Sequence, residues 1–422
     1  MKRKKVYSNL IDATKILNSK YFIPDININW CTYNLSWFDV ETTLNYLNEQ
    51  VKINNTKVNI LRAKSIDLKL NIKQANTIKM WIEGARIIYN ITVKYFRKNK
   101  LCSLASVRKQ IYNLIPIIIK NYNIPKHIID NSINDVIKAH KSSIALIKTG
   151  QIKSYQIKYK KITKNKQTIV IEKQDFSKVK NSFYIKSLNE INSSMPINDI
   201  KYDTRLSYDK LKNKFTLYVP SNKEIKNVKN RKDICAIDPG NKTFLTCYSP
   251  ENKCLKIFNR DKKNKITKLI KRKIILTKLF NEFKLKKYKT ALLKNNKKMI
   301  NNVKELHYKS ALYLCLNFDE IYLGKLSTKM ITSIKQSNLC DFEKLYTYAI
   351  SHFKFSTILK NKCEEYGVKF KLVNEAFTTR TCGKCGGLNN NVGANRIFDC
   401  TKCNIRIDRD LNGARNILIK HI

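Results

Sequence analysis

Two pairs of cysteines have the spacing of a metal site: Cys382-Gly-Lys-Cys385 and Cys400-Thr-Lys-Cys403, with fourteen residues between the pairs. Zinc prefers four thiolates in a tetrahedron, and each C-x2-C turn supplies two sulphurs from one knuckle. Gly383 eases the first tight turn, and the loop between the pairs lets the two knuckles face each other. Redox or incidental cysteine pairs are the plainer alternative. The spacing predicts a structural zinc ribbon ligated by Cys382, Cys385, Cys400 and Cys403. Such a zinc serves folding and binding and does no chemistry itself. Arg380, Lys384 and Lys402 around the cysteines suit a nucleic-acid surface.

A different chemistry is open to three carboxylates. Phosphodiester hydrolysis by two metal ions needs carboxylates that converge in space. Magnesium takes hard oxygen ligands and keeps several waters, so a few carboxylates suffice. Asp238 ends the apolar run Ile234-Cys-Ala-Ile at a Pro239-Gly240 turn, where its side chain would project from a sheet. It could equally be a turn-initiating aspartate. Asp410 opens Asp-Leu-Asn-Gly-Ala-Arg-Asn-Ile at the start of a last helix. There an N-cap is the alternative, and Asp408 could serve as cap or ligand as well. Glu375 follows the strand Phe370-Lys-Leu-Val373, where a solvated strand-end glutamate is the plain reading.

The charge of the chain points the same way. Among 422 residues, 83 are Lys or Arg and 32 are Asp or Glu, a formal net charge of +51. So much like charge opposes compaction, and a bound polyanion would offset that. Nucleic acid is the expected partner, because neutralising phosphates releases counterions. The richness in Asn, Ile and Lys also fits an A/T-rich genome, which would inflate Lys without selection for binding. No apolar stretch follows Met1-Lys-Arg-Lys-Lys5, so no secretory leader is expected. The longest apolar run, Leu114 to Ile119, is too short to span a bilayer. The expected setting is intracellular, in the nucleus or at a viral or cytoplasmic replication site. Lys2 to Lys5 could be a nuclear signal or a solvated terminus. Cys31, Cys102, Cys235, Cys247, Cys254, Cys315, Cys340 and Cys363 are scattered and read as small core residues.

Few glycines (10) and prolines (7) favour long regular elements that would position these groups. Residues 1–55 carry no motif and stand as an N-terminal extension. Alternation over 56–75 and 149–225 predicts a strand-rich, β-barrel-like domain, including a hairpin from Thr204 to Val219. Residues 76–148 interrupt it with apolar spacings of three and four (Ile78, Trp81, Ile82, Ala85, Ile88), a helical insertion. Residues 222–232 are a charged linker. An α/β unit then runs over 231–375 and 405–422, interrupted by the ribbon at 376–404. Within it, 260–317 predicts a basic helical hairpin, Ile321 to Leu323 a strand, Tyr346 to Tyr366 one helix, and Val368 to Asn374 a strand.

In this order the pieces resemble the RuvC nuclease half of the transposon-associated TnpB proteins, and more closely their eukaryotic and viral relatives, the Fanzor proteins. Ile234-Cys-Ala-Ile-Asp-Pro-Gly-Asn-Lys-Thr-Phe244 resembles the first RuvC motif. Val373 to Gly386 resembles the strand leading into the ribbon, and Asp408-Arg-Asp-Leu-Asn-Gly-Ala-Arg-Asn-Ile417 the third motif. Upstream, Trp81 to Asn90 and Lys166 to Glu172 are similar to a family helix and strand. The resemblance implies an RNase H-like (RuvC) core with an inserted zinc ribbon. It implies an RNA-guided, magnesium-dependent DNA endonuclease, with a guide non-coding RNA and double-stranded target DNA as partners, associated with a mobile element. TnpB proteins usually carry a glutamate where this chain has Gly324-Lys325. Fanzor proteins often use one just before the ribbon instead, and Glu375 matches it. The implied triad is therefore Asp238, Glu375 and Asp410, with Asp319 and Glu320 as weaker substitutes. The alternatives are an inactive RNA- and DNA-binding protein, or an unguided transposase- or resolvase-like nuclease.

Overall fold

The computed structural model describes residues 59–422 except 99–103, 164, 199, 227, 229–230, 251–252, 258–259, 333–338, 391 and 393–394. The extension over 1–55, the basic run Lys2 to Lys5, Cys31 and Cys102 lie outside the described residues. The chain divides into two compact units, Leu61–Lys223 and Glu224–Ile422.

In the first unit, β1 (Asn59–Lys69), β2 (Lys166–Ile171), β3 (Asn192–Ser193), β4 (Thr204–Asp209) and β5 (Lys214–Glu224) form a sheet of order β2-β4-β5-β1-β3. The β4–β5 hairpin falls where alternation predicts it, with Tyr208 opposite Phe215 and their rings stacked at 4.5 Å. The alternating stretch from Gln151 forms a strand only from Lys166. Upstream, the backbone at Lys160 bonds helix side chains instead: its N–H donates to Asn90 Oδ1 (2.8 Å) and its carbonyl accepts from Arg86 (3.3 Å). Those groups are satisfied without a ladder. The interrupting helices are α1 (Ile72–Lys98), α2 (Leu104–Asn113) and α3 (Lys126–Lys148). Pro125 stands at the N-cap of α3, where its missing N–H costs no helical hydrogen bond. Ile78, Trp81, Ile82, Ala85 and Ile88 are all buried, as their spacing requires.

The second unit is built on a sheet of order β10-β9-β6-β7-β8. Its strands are β6 (Lys232–Pro239), β7 (Leu245–Ser249), β8 (Lys253–Ile257), β9 (Phe318–Gly324) and β10 (Lys369–Val373). β6, β7 and β8 form an antiparallel meander, whereas β9 and β10 run parallel to β6. Parallel pairing needs long crossovers. One is the hairpin of α4 (Arg260–Phe283) and α5 (Lys286–Asn317). The other contains α6 (Asp341–Ile350) and α7 (His352–Tyr366). The single helix expected from Tyr346 to Tyr366 is broken at Ser351, whose φ of 50° is left-handed. Gly367 (φ 64°) then closes α7.

Successive β6 residues alternate between two cores. Cys235 and Ile237 join α4, α5 and α7 on one face, and Ala236 joins a last helix, α8 (Arg409–His421), on the other. Of the scattered cysteines, Cys235, Cys247, Cys315 and Cys363 are buried and Cys254 is half-buried. Cys340 departs from the expectation of a core residue. It is exposed at the N-cap of α6, where a short polar-capable side chain suits the helix start.

Within the first of these cores the Phe244 ring lies between His307 (5.6 Å, 12°) and His352 (5.3 Å, 23°). Desolvation holds both imidazoles down at about 4. Both are therefore neutral in the fold, and unfolding lets them take up protons below about 6.5. Stability is full above pH 6.5 and is lost as the pH falls from there to about 4. The expected loss is on the order of 3 kcal/mol for each histidine. A Tm series from pH 7 to 4.5 should slope downward, and His352→Phe should remove about half of that slope. A slope unchanged by His352→Phe would show that His352 is charged in the fold.

Candidate functional site

β6, β9 and β10 are parallel and in register, so they end at one edge of the sheet. Ile237 pairs with Leu323, and Val373 with Gly324. Ala236, Tyr322 and Val373 all face α8. The period of two places Asp238 and Gly324 on that face, with Glu375 just beyond it. The α8 helix meets them closely. A Cβ on Gly413 would lie 2.6 Å from Asp238 Oδ2. A Cβ on Gly324 would lie 2.9 Å from Glu375 Oε2, 3.0 Å from Ile417 Cδ1 and 3.2 Å from Pro239 Cδ. The Glu375 carboxylate thus occupies the space above Gly324. Asp410 enters from the first turn of α8.

Glu375 and Asp410 are both near enough for their charges to act on Asp238, but the three carboxylates do not converge as tightly as the four cysteine sulphurs do. Desolvation, then the charges of Glu375 and Asp410, hold the Asp238 carboxyl well above the usual carboxylate range, and Arg409 opposes them. Desolvation also raises Glu375. Its Oε2 is buried with no hydrogen-bond partner among the described residues. Such a cluster cannot hold all its charges unless cations join it. An orphaned buried oxygen in a set of hard oxygen donors fits divalent magnesium.

The other candidate carboxylates have different duties. Asp408 is the N-cap of α8: its Oδ1 accepts from Leu411 N at 3.0 Å, and its Oδ2 pairs with Lys256 Nζ at 2.6 Å. Asp319 pairs with Arg231 at 3.2 Å and Glu320 with Lys371 at 3.1 Å, both at the far end of β9.

Beside Asp410 opens a cleft of about 420 Å³. Lys242, Lys256, Lys263, Arg396 and Arg409 line it with Asp408 and Asp410. Desolvation, then Arg396 and Lys242, lower the Lys263 ammonium. Sequence reasoning missed Lys263 and Arg396. Lys263 sits in a helix that is basic throughout, and nothing local distinguishes it. Arg396 lies between the two cysteine pairs, where its role depends on the folded loop.

The four cysteine sulphurs lie within 4.8 Å of one another and could hold a metal ion, with Cys382 to Cys403 and Cys385 to Cys400 each at 3.6 Å. A tetrahedral zinc with ~2.3 Å bonds has an edge of about 3.8 Å, so zinc fits. The two knuckles are built alike. In each, the residue four after the first cysteine donates back to that cysteine's carbonyl with left-handed backbone: Gly386 (3.0 Å, φ 72°) and Asn404 (2.9 Å, φ 53°). Both residue types tolerate that conformation. Asn412 and Asn416 of α8 tie the cluster down. Asn412 bonds the Thr381 carbonyl (2.7 Å) and the Gly383 N–H (2.9 Å), and Asn416 bonds the Thr378 carbonyl (2.8 Å).

Residues 352–417, which include Glu375, Asp410 and all four cysteines, match the family model described as Cas12f1-like, TNB domain. A protein from Acanthamoeba polyphaga mimivirus called TnpB-like protein L770 is 31% identical over 398 residues, 89% of this chain and 76% of that protein. The chain belongs to the TnpB-like family. The CRISPR-associated endodeoxyribonuclease Cas12f1 of Sulfoacidibacillus thermotolerans is 28% identical over 88 residues, 20% of this chain and 21% of its own. Among solved structures, the mini RNA-guided endonuclease CRISPR-Cas_phi3 is similar at TM-score 0.45 and 10% identity, over 98% of this chain and 97% of that one. Among the described residues no helix is long and apolar enough to cross a membrane.

Proposed function

We propose that this chain is an RNA-guided, magnesium-dependent DNA endonuclease of mobile-element origin. Its second unit would be an RNase H-like (RuvC) core with an inserted zinc ribbon. The observation that carries the reading is the Glu375 carboxylate set over Gly324, beside Asp238 and Asp410. The ligand missing from the end of β9 is supplied from the end of β10, which speaks against an inactive relic and favours the Fanzor branch of the family.

Asp238, Glu375 and Asp410 would hold the magnesium. Magnesium bound there supplies Lewis acidity and a water of lowered pKa. The protein's part is to gather the three carboxylates, and to hold phosphate oxygens with Lys263, Arg396 and Lys242. The strand-rich first unit, with its helical insertion at 76–148, would hold the guide RNA and the guide–target duplex. Sequence would then be read by base pairing, and the protein would read a short flanking motif.

Zinc at Cys382, Cys385, Cys400 and Cys403 would support the site structurally. Cys400→Ser is expected to reduce zinc from one ion per chain to near none, and to lower Tm by about 10 °C. Elemental analysis and calorimetry check both. Unchanged zinc content would remove the ribbon assignment.

The reading itself is tested by purifying the protein from cells carrying its native locus and sequencing the RNA that comes with it. One enriched species, which then directs magnesium-dependent cutting of matched DNA, is the expected result. Cleavage that is equal after RNA-free reconstitution would favour an unguided nuclease. No cleavage with a defined RNA bound would favour a binding protein.

A further inference from the structure

The first unit holds a group of metal-ligating side chains that neither the carboxylate cleft nor the cysteine cluster uses. His127 stands in the first turn of α3, Glu172 follows the end of β2, and Asp175 ends the short helical turn Lys173–Asp175. One ligand atom from each lies within 4.8 Å of the others. His127 Nδ1 is 2.8 Å from Asp175 Oδ1 and 3.8 Å from Glu172 Oε2. A tetrahedral ion with bonds of ~2.1 Å has ligand edges of about 3.4 Å, which these two separations bracket.

The charge around the three is unusual for this chain. Asp67, Glu83, Asp130, Asp135 and Asp209 of the same unit each pair with a lysine or arginine. Among the described residues Glu172 and Asp175 pair with neither, only with His127, although the chain has 83 such cations. A protonated imidazole cancels one of their two charges, whereas a divalent cation bound by a neutral imidazole cancels both. The outer oxygens are fixed by uncharged groups. Tyr184 OH donates to Asp175 Oδ2 at 2.7 Å, and Asn131 Nδ2 donates to Glu172 Oε1 at 2.7 Å. Oδ1 and Oε2 are thereby left to the imidazole, which is how partners behind a metal's ligands orient them. The exposed Gln174 donates Nε2 to Glu172 Oε2 at 2.8 Å. Turned over, its amide presents an oxygen to the same space.

We infer that His127, Glu172 and Asp175 form a second metal site, for a divalent cation of the zinc class, which fastens the start of α3 to the end of β2. One imidazole nitrogen with two carboxylate oxygens suits zinc, cobalt or manganese better than magnesium. Three protein ligands on a part-exposed surface bind more weakly than four thiolates, so the site fills on titration and is stripped by purification. The inference goes beyond the nuclease reading and does not depend on it.

The test titrates zinc into the full chain with its cysteine site already filled, in excess magnesium, and follows uptake by calorimetry and elemental analysis. One further ion per chain is expected. His127→Gln should weaken its binding by about 100-fold, and Tyr184→Phe, which removes only the hydrogen bond behind Asp175, by about 10-fold. Both should leave the cysteine site full. Cobalt in place of zinc reports the ligand type. The further ion should add d–d bands without sulphur-to-metal charge transfer, and His127→Gln should abolish that addition. No further ion, sulphur charge transfer from it, or equal affinity in wild type and His127→Gln overturns the inference. Should His127→Gln fail to fold, Tyr184→Phe decides, and unchanged affinity there overturns it.

Discussion

Asp238→Asn is expected to lower DNA cleavage by about 1,000-fold while raising the thermal stability of the magnesium-free protein. Asparagine keeps the shape of the side chain against Gly413, where the carboxylate oxygen lies 2.6 Å from the position a Cβ would take. It removes a charge that would help hold the magnesium. The same charge is costly without them, since burial and the charges of Glu375 and Asp410 all oppose it. Function and stability should therefore move in opposite directions. Affinity for RNA and DNA should stay within about twofold, because phosphate binding is spread over many cations. Single-turnover cleavage with magnesium and calorimetry in magnesium-free buffer, with the zinc retained, provide the two readouts. Full cleavage by Asp238→Asn would sink the catalytic assignment, and a lower Tm without magnesium would sink the account of its strain.

Gly324→Ala is expected to cost about 100-fold in cleavage, although alanine bears no charge and a strand accepts it readily. Its Cβ would meet Glu375 Oε2, Ile417 Cδ1 and Pro239 Cδ at 2.9, 3.0 and 3.2 Å. Pro239 is rigid, and Ile417 is fully buried in the α8 core. The glutamate is the group that yields. Gly324→Glu alone should be worse, since two carboxylates would then compete for one space. Combined with Glu375→Ala, it should recover at least tenfold over Glu375→Ala alone, by returning the ligand to the end of β9. The readout is the interaction term of a double-mutant cycle on cleavage rate. Purely additive losses would show that the two positions do not share a space.

The legible parts of this chain are those written locally. The cysteine pairs carry their geometry in their spacing, and Asp238 is marked by an apolar run that stops at Pro239-Gly240. The β4–β5 hairpin and the α4–α5 hairpin follow from the periods of their apolar residues. Glu375 shows locally only that it follows an apolar strand, and its role enters through resemblance. Its meaning depends on the register of β10 against β9, which pairs Val373 with Gly324 across more than forty residues of crossover. Gly324 and Gly413 read as ordinary glycines until the fold sets a carboxylate against each. Asp408 and Asp410 differ by one helical phase: the first turns back to cap Leu411, and only the folded N-terminus of α8 tells them apart. Ser351 breaks a helix whose apolar pattern continues across it, so periodicity alone joins what the backbone separates.

The chain between Glu375 and Asp410 is thirty-four residues long, and the cysteines divide it evenly. Six residues separate Glu375 from Cys382, and six separate Cys403 from Asp410. Once the sulphurs are clipped together, the two carboxylates are joined by a short tether in place of a long one. Loop-closure entropy grows by about 0.6 kcal/mol per doubling of length, so the shortening relieves their meeting of about 1 kcal/mol. The interior of the excursion, from Gly386 to Asp399, lies outside that tether. Its length can vary without slackening the hold on either carboxylate, so long as Arg396 is still delivered to the cleft.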